Sequence, residues 1–397
     1  MAWVEQRNGA FRVRARIDGH VVTDSVHLTP GAAELRAKEI DVDIARRRYQ
    51  DPRTTRITLQ DWVALWAADL RVAPTTRDTY DGHLRRHVLP NLGQLELADI
   101  NRRVIKKFVA DLRQRLSDKS VEDVMKVLSL VLNEAVAEGR MNRNPCKDVN
   151  WHADSTERPH ATADQVIDIA AALPHWTNQI LVITAAYTGM RWGELAGLHR
   201  DNVNLDEGWI FVPKDDGALK EINGHLHKGA PKTPASRDRY IKLPPFLIEL
   251  LTPVLSSHDH DHVFVGSRGA LQRRSTFGRT WRQAVKRATT PASHRAIRGI
   301  HVHDMRHTHK TWMAEDNIPE VAQCKRLGHR LGGIRGVYTH TTPAMEQQII
   351  DTLQRRWEAS KGVAFATDLR QCASGRVHRP GWRRGDSKGE GGRITHP

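Results

Sequence analysis

Near the N-terminus, apolar and arginine side chains alternate along the chain. In residues 11–17, which read FRVRARI, every second position is apolar and the positions between are basic. Because successive side chains of a strand point to opposite faces, this alternation predicts a β-strand with one buried face. Its other face carries three arginines: Arg12, Arg14 and Arg16. No acidic residue interrupts them, which favours contact with DNA phosphates over the alternative of an ordinary solvated face.

The segment after this strand carries turn and helix-start signals. The dipeptide Asp18-Gly19 is typical of a hairpin turn, and a second strand is predicted over residues 21–28. A threonine-proline pair then favours the start of a helix, predicted over residues 32–49. We therefore expect a small domain of a β-hairpin and a helix in residues 1–53.

A longer stretch, residues 54–149, has apolar side chains at helical spacing and predicts an all-α domain. The first of these apolar positions are Leu59, Trp62, Val63, Leu65, Trp66 and Leu70. On one predicted helix, basic and hydroxyl groups suited to backbone phosphates come together. These residues are Thr75, Thr76, Arg77, Tyr80, Arg85 and Arg86. We interpret them as DNA-binding residues, with a solvated helix face as the alternative.

The rest of the chain divides into a linker, a large domain and a tail. Residues 150–160 contain few large apolar side chains and are predicted to form a linker. Residues 161–360 carry helical patterns and two strand patterns that are expected to pair, at residues 209–212 and 240–243. Residues 361–397 are rich in glycine and basic residues, which predicts a disordered tail. The predicted fold class is multidomain, mainly α with small β-sheets.

Charge and composition narrow the class of protein. The 397 residues include 61 Lys and Arg against 46 Asp and Glu, and this formal net charge of +15 suits a nucleic-acid partner. Hydrophobic residues make up 39% of the chain, which is enough to build hydrophobic cores. The sequence contains no uninterrupted run of about eighteen apolar residues, so it predicts no membrane-spanning helix. The cysteines are too dispersed for a disulfide framework or a cysteine-based zinc module. They are Cys146, Cys324 and Cys372.

Basic, histidine and tyrosine residues follow one another in the large domain at informative spacings. Arg191 lies between two glycines after an apolar helical pattern. His303 and Arg306 are three residues apart and share one face of a helical turn. His329 follows a Leu-Gly pair, and Tyr338 lies nine residues beyond it. Any of these residues alone would be an ordinary surface or core residue, but the ordered set is improbable by chance.

The set resembles the motifs of the tyrosine recombinases, the phage integrase family, and the resemblance spans the chain up to its tail. It implies an arm-site DNA-binding domain in residues 1–53, a SAM-like core-binding domain in residues 54–149 and a tyrosine recombinase catalytic domain in residues 161–360. The expected function is site-specific recombination. A phage or mobile element would be integrated through a covalent 3′-phosphotyrosine intermediate, and excision by the same chemistry stays open.

The same resemblance implies the partners of the protein. Double-stranded DNA with core-type and arm-type attachment sites is the expected substrate, bound by a homotetramer, and DNA-bending and directionality proteins are further expected partners. No metal or other cofactor is expected, and the absence of a Gly-Lys dipeptide excludes a Walker A loop. No membrane association is expected. The implied location is the cytoplasm of a bacterial host, at the nucleoid.

The resemblance also implies a role for each motif residue. Arg191 and Arg306 match the two arginines that clamp the phosphate. His303 and His329 match the two histidines of the family, and Tyr338 matches its nucleophile. Arginine suits the first role because its planar fork can hold two phosphate oxygens, whose charge grows in the transition state.

Proton transfer requires further residues. A tyrosine hydroxyl is only about 0.1% ionised at pH 7, so His303 is expected to accept its proton or the arginines to stabilise its anion. The leaving 5′-hydroxyl needs a proton, a role for a lysine ammonium. The family's lysine lies in a turn before a basic strand, and two lysines compete for that place, Lys232 and Lys228. We prefer Lys232 because of its five-residue step to Arg237.

Two alternatives from other classes stay open. A catalytically silent DNA-binding protein of the same fold would carry the same charge, although Tyr338 argues against it. A metal-dependent nuclease could use the histidines near His303, namely His301, His307 and His309. It would lack acidic ligands, and alternate positions of a helix point in different directions. Glu194 is expected to be structural, pairing with a nearby base or capping the following helix.

Overall fold

The structure is a computed structural model that describes residues 1–17, 19–46, 49, 57–154, 157–266, 269–288, 297–332 and 340–373. Of these, residues 371–373 are described by their backbone alone. Its contacts divide the chain into two compact units, one ending at residue 156 and one beginning at residue 157. Among the described residues, the first unit contains two separate hydrophobic cores and the second contains one. Within these ranges, no helix is long and apolar enough to cross a membrane.

A three-stranded antiparallel sheet and one helix form the start of the first unit. The elements are β1 (Ala2–Arg7), β2 (Ala10–Ile17), β3 (His20–His27) and α1 (Pro30–Ala45). The strands pair in the order β1-β2-β3, and α1 packs against the buried side chains of β2, Val13 and Ala15. The predicted alternating strand, its partner and the helix are confirmed. Asp18 of the predicted turn lies outside the described residues.

Strand β1 was not predicted, although a signal for it is present. The turn between β1 and β2 is formed by Asn8 and Gly9, both at positive φ, +51° and +76°. Two consecutive positive-φ residues define the tight turn whose twist matches paired strands, and Asn-Gly is its preferred sequence. The dipeptide therefore predicts this hairpin more strongly than the short apolar run before it does.

Helices form the second core of the first unit. They are α2 (Leu59–Asp69), α3 (Pro74–His83), α4 (Leu89–Leu92), α5 (Arg102–Arg113) and α6 (Asp118–Ala137). A single π-helical turn, Leu84–Val88, joins α3 to α4. Thr58, Asn101 and Ser117 cap α2, α5 and α6 by accepting backbone N–H groups of the first turn. The predicted all-α domain is confirmed.

The predicted linker begins inside this helical core. Trp151 is buried, and its indole Nε1 donates to Cys146 O at 2.8 Å. A low average hydrophobicity over residues 150–160 hides this single large anchor. Trp151 therefore belongs with the helical core rather than with a linker. Residues 155 and 156 lie outside the described part of the chain.

The second unit is mostly helical. Its described helices are α7 (Ala163–Ala171), α8 (Trp176–Thr188), α9 (Trp192–Ala196), α10 (Pro245–Ser256), α11 (Arg274–Ala288), α12 (Asp304–Glu315), α13 (Glu320–Leu327), α14 (Pro343–Glu358) and α15 (Gly362–Ala373). Helix α8 runs through the core, and all its residues from Gln179 to Thr188 are buried. A helix that is apolar on every side is expected in such a place.

Two small antiparallel sheets lie between α9 and α10 in sequence. The strands are β4 (Val203–Asn204), β5 (Trp209–Val212), β6 (Ala218–Ile222), β7 (His225–Gly229) and β8 (Arg239–Lys242). One sheet has the order β4-β5-β8, and β6 pairs with β7 in the other. The predicted pairing of the strands at 209–212 and 240–243 is confirmed, with Ile210 opposite Ile241. The stretch between β5 and β8, expected to contain a turn before the basic strand, also contains the β6-β7 hairpin.

The last described helix contradicts part of the tail prediction. Disorder is predicted from residue 361, yet α15 is helical and contributes three side chains to the core of the second unit: Phe365, Ala366 and Leu369. The prediction is wrong here because glycine-rich composition averaged over the whole tail hides one short amphipathic helix at its start. Residues 374–397 lie outside the described residues.

Candidate active site

Arg306 is the most enclosed of the described residues that the sequence assigns to catalysis. It lies in the first turn of α12 and is 4% exposed. Its Nη1 donates to Gly189 O at 2.6 Å, and its Nη2 donates to Leu327 O and lies 2.8 Å from His329 Nε2. The guanidinium therefore connects the end of α8 to the turn that follows α13. Its position is fixed before any ligand binds.

Arg191 reaches the same region from the start of α9. Gly189, at φ +66°, ends α8, and a Cβ there would lie 2.8 Å from His309 Cδ2. Both the positive φ and this close packing require glycine. The Nη1 of Arg191 donates to Glu194 Oε1 at 3.0 Å and to Ser236 Oγ, while its Nη2 lies 3.5 Å from Thr233 Oγ1. The glycine thus turns the chain so that the Arg191 side chain reaches Glu194 and Ser236.

One buried carboxylate organises these cations. Glu194 is 2% exposed, and it accepts the Arg191 backbone N–H at 2.8 Å, which caps α9. Its Oε2 also lies 2.7 Å from Arg239 Nη2. Burial acts to raise the pKa of Glu194, but the charges and hydrogen bonds of Arg239 and Arg191 outweigh it and lower that pKa. The carboxylate is ionised, and both structural roles expected of Glu194 are confirmed.

The two histidines and Arg306 are less easily charged than usual. Burial, with the positive charges of Arg306 and Arg191, lowers the pKa of His329 to about 4. The same physics lowers the pKa of the more exposed His303, where burial is followed by the charges of His307 and Arg306. Burial and Arg191 lower the pKa of Arg306 to about 9. At neutral pH the imidazoles are therefore neutral beside a charged guanidinium.

The predicted lysine lies in a loop that packs on the turn before His329. This segment, residues 230–238, is called the lysine loop below. Within it, Thr233 Oγ1 and Ser236 Oγ donate to Gly328 O at 3.2 and 3.0 Å. Gly328 has φ +64°, and a Cβ there would lie 2.7 Å from Ser236 Cα. Glycine is therefore required where the two segments meet. Lys232 itself is exposed.

The histidine cluster considered for metal binding is not convergent. His309 is fully buried, its Nδ1 lies 2.8 Å from Ala186 O, and its Nε2 accepts Arg326 Nε at 2.9 Å. Both ring nitrogens are therefore occupied by protein groups. Burial and the charge of Arg326 hold the pKa of His309 well below its ordinary value. Among the described residues, no group of three or more His, Cys, Asp or Glu side chains could hold a metal ion.

Comparison with known proteins assigns the family. Residues 160–345 match the family model described as Phage integrase family, and residues 58–113 match that of Phage integrase, N-terminal SAM-like domain. The chain belongs to the phage integrase family. This tyrosine recombinase is 22% identical to the integrase of Mycobacterium phage L5 over 78% of the present chain and 82% of that protein.

Two solved structures have the same fold as this recombinase. The Tn1549 transposon integrase, in complex with a circular intermediate DNA, matches 75% of this chain and 99% of its own with 17% identity and a TM-score of 0.60. The lambda integrase tetramer bound to a Holliday junction matches 89% of this chain and 96% of its own with 18% identity and a TM-score of 0.51. At such identities the likeness shows the fold.

Sequence reasoning missed Arg239 and misjudged its neighbour in this recombinase. The spacing argument used Arg237, yet Arg239 is the residue that binds Glu194, while Arg237 is partly exposed. Strand alternation was the available signal. Arg239 lies two residues before the buried Ile241, so both point to the same face of β8. Thr233 and Ser236, which contact Arg191, were likewise not assigned a role.

The predicted arm-site arginines lie on the face of β2 opposite the core, but they are not equivalent. Arg14 donates to Glu5 Oε2 at 2.9 Å across the sheet. The acidic neighbour comes from the unpredicted strand β1, so the linear sequence could not show it. Arg16 is exposed, and Arg12 is partly exposed. Their contact with DNA stays a prediction.

The predicted core-site residues of the helical domain fall into two groups. Tyr80 stacks on Trp66 with ring centroids 6.3 Å apart, so its ring is part of the helical core. Arg77 pairs with Asp81 at 3.2 Å, and Arg86 donates to Gly82 O at 3.0 Å. The others are exposed or partly exposed on α3 and the π-helical turn: Thr75, Thr76 and Arg85. DNA binding by this set stays a prediction.

The predicted nucleophile lies outside the described residues, which omit 333–339. The described chain ends at Gly332, three residues after His329, and resumes at His340, three residues before the first residue of α14. The structure thus brings together Arg191, Arg306 and His329 with the lysine loop beside them, and His303 lies close enough for the charges of the two arginines to affect its pKa. Tyr338 enters the mechanism through the motif and the family, with no geometry assigned to it.

Proposed function

We propose that this tyrosine recombinase integrates a phage or mobile element by cutting and rejoining DNA through a covalent 3′-phosphotyrosine intermediate. Site-specific recombination is the activity class of the family to which the chain belongs. The single observation that supports the residue roles is the fixed pair Arg306 and Arg191. Both guanidiniums are held by protein acceptors, and Glu194 is the one carboxylate among the hydrogen-bond partners described for the two side chains.

The charge balance of this region favours an anion. Arg191, Arg239 and Arg306 bring three positive charges, and Glu194 compensates one of them. The pKa of Arg306, lowered to about 9 by burial and by Arg191, shows that these cations destabilise one another. A phosphodiester between Arg191 and Arg306 would relieve that repulsion. Its growing charge in the transition state would be stabilised without reorganising the protein.

The proposed reaction has two symmetrical steps. The Tyr338 hydroxyl attacks the phosphorus and loses its proton to the neutral imidazole of His303, while the bond from phosphorus to O5′ breaks. Lys232 donates a proton to that oxygen, so the products are a 3′-phosphotyrosine and a free 5′-hydroxyl. In the second step a 5′-hydroxyl from the other DNA duplex attacks the phosphotyrosine and releases Tyr338 with its proton restored.

The lysine loop supports Lys232 over Lys228 as the proton donor. Thr233, the next residue in the chain, contacts both Arg191 and Gly328 O. Lys228 instead lies in β7. After burial, its charge contributes to the lowered pKa of His262, which is not one of the predicted catalytic residues. The choice of Lys232 therefore rests on the contacts of Thr233 and not on the five-residue spacing between Lys232 and Arg237.

The proposed partners are double-stranded DNA and three further copies of the chain. Solved structures of relatives contain circular intermediate DNA and a tetramer on a Holliday junction. By analogy, the helical domain and the second unit, which begins at residue 157 and is called the catalytic unit below, would bind core-type sites. The N-terminal sheet would bind arm-type sites. DNA-bending and directionality proteins would assist at the bacterial nucleoid. The metal-dependent nuclease is disfavoured because both nitrogens of His309 are already engaged.

A suicide substrate tests the proposal. The DNA is nicked near the cleavage point, so that the released 5′-end diffuses away and the covalent complex accumulates. Wild-type protein should be trapped on a 3′-phosphate, and Tyr338→Phe should bind the DNA without forming an adduct. The adduct should form equally well in excess EDTA. Trapping of Tyr338→Phe at the wild-type rate would overturn the nucleophile, and loss of cleavage in EDTA with unchanged DNA binding would favour the nuclease.

A further inference from the structure

One guanidinium, at the start of β8, holds three separate segments of the catalytic unit. Arg239 is 5% exposed, and its Nη2 and Nη1 donate to the two carboxylate oxygens of Glu194 at 2.7 and 3.2 Å. Its Nη1 also donates to Ser236 O at 2.6 Å, and its Nε donates to Arg326 O at 3.3 Å. All three side-chain nitrogens are therefore engaged by protein acceptors.

Each of these contacts leads to a residue of the proposed reaction. Glu194 holds the Arg191 guanidinium. Ser236 belongs to the lysine loop and donates its hydroxyl to Gly328 O. Arg326 lies three residues before His329, at the end of α13. The segments that carry a phosphate-binding arginine, the proton-donating lysine and a histidine thus meet at one side chain.

We infer that Arg239 is a positioning residue, which fixes the lysine loop relative to Arg191 across the phosphate. This inference rests on the proposed function. A guanidinium suits the task because its five N–H donors lie in one plane and point in several directions. A lysine at this position would keep the charge, but its three N–H donors, all on one nitrogen, could not serve the four oxygens that Arg239 binds: both oxygens of Glu194 and two carbonyls. Arg239 itself contacts no reacting group.

The charges give Arg239 a second effect on Arg191. Glu194 would otherwise be a buried carboxylate with Arg191 as its single cationic partner. A buried ion pair of that kind holds its members tightly, because each compensates the other. Arg239 binds Glu194 through two hydrogen bonds and neutralises it. The positive charge of Arg191 consequently stays available for the phosphate.

Two substrates separate positioning from ordinary stabilisation. Full-length protein, in excess over a suicide substrate that carries its core-type site, is measured in single turnovers on a normal phosphodiester and on a 5′-bridging phosphorothiolate. Sulfur leaves without a proton, so the second substrate does not need Lys232. Arg239→Lys should cleave the normal substrate about 100-fold more slowly, the scale of a small misplacement. About tenfold of that loss should disappear on the sulfur substrate, in the direction expected for Lys232→Ala.

Arg356→Lys is the matched control. Arg356 also binds carboxylates of another segment, Glu315 and Asp316, at 3.1 and 2.9 Å, with its side chain 21% exposed. Its loss should lower the thermal midpoint and the amplitude of cleavage, while the rate constant stays equal to that of wild type on both substrates. The amplitude reports the folded fraction, and the rate constant reports the geometry of the site.

Three results decide the inference. Recovery of the Arg239→Lys rate on sulfur supports it, and Arg239→Gln is measured in the same way if the lysine variant does not fold. Wild-type rates in Arg239→Lys, or equal losses on the two substrates, overturn the positioning role while leaving the recombinase intact. Failure of wild-type protein to form any adduct overturns the proposed function itself, and the inference with it.

Discussion

Two groups of arginines among the described residues have opposite surroundings, one in the unit that begins at residue 157 and one on the N-terminal sheet. In the catalytic unit, Arg306 and Arg239 are buried, and every side-chain contact given for them is to a carbonyl, a carboxylate or an imidazole of the protein. On the N-terminal sheet, Arg12 and Arg16 keep exposed surface, and Arg14 has a partner across the sheet. The buried guanidiniums are fixed in advance by protein acceptors, and in the proposed reaction Arg306 would act on one bound phosphate. Exposed ones attract a polyanion and are screened by salt.

The largest expected effect comes from the buried group. Arg306→Lys keeps the charge, but the three N–H donors of an ammonium lie on one nitrogen and cannot serve a phosphate together with the three protein acceptors of Arg306. Cleavage of a suicide substrate should fall by about 1,000-fold, at the upper end for removal of one preorganised donor. Binding of the same DNA should change little. A loss of DNA binding as large as the loss of cleavage would contradict the distinction between the two groups of arginines.

The next effect distinguishes the two lysines. Lys232→Ala should slow cleavage by about 100-fold or more, because the leaving oxygen loses its proton donor. Lys228→Ala is the matched variant from the same region and should cleave at nearly the wild-type rate. Single-turnover rates of both variants provide the measurement. A severe defect in Lys228→Ala alone would transfer the role.

A smaller and salt-dependent effect is expected on the N-terminal sheet. Each phosphate contact that is lost lowers the slope of log affinity against log salt by about 0.9. Arg12→Ala and Arg16→Ala should each approach that value for arm-type DNA, measured by titration at several salt concentrations. Arg14→Ala should change the slope less, because Glu5 already compensates its charge. Equal slopes in all three variants and wild type would leave this as an ordinary solvated strand face.

The smallest effect concerns pH. The folded-state pKa of His329, about 4, lies below the ordinary value of 6.5, so the imidazole stays neutral as the pH falls through 6.5 and is protonated only near 4. Its contribution to stability is therefore complete above 6.5 and is lost as the pH falls towards 4. Histidine-selective NMR of the free protein, with His329→Gln for assignment, should show this low midpoint. A midpoint near 6.5 would contradict the buried electrostatics described above.

The sequence predicted best where one pattern has one structural cause. Alternation around Val13 and apolar spacing around Trp62 specified β2 and α2, because each element buries a single face. The resemblance of the ordered motifs assigned His329 and Arg306 to one site, and in the structure His329 Nε2 lies 2.8 Å from Arg306 Nη2. Motif order carries this information because the family resemblance includes the fold.

The rest depends on contacts between distant segments or on averages that hide single residues. Arg14 looked unpaired because its partner Glu5 comes from a strand that was not predicted. Arg239 and Glu194 are far apart in sequence, and only the fold brings them together. The tail and linker predictions failed at α15 and at Trp151 because composition describes a segment and not its one buried side.

The contact between the lysine loop and Gly328 limits which segments of this recombinase can be exchanged with those of a relative. The hydroxyls of Thr233 and Ser236 donate hydrogen bonds to Gly328 O, in the turn before His329. A Cβ on Gly328 would clash with Ser236, so only glycine fits there. A chimera that takes residues 230–239 from a relative and keeps residues 326–329 would combine two halves of one interface with different origins. In directed evolution of new target specificities, these two segments therefore form a single module to be exchanged together.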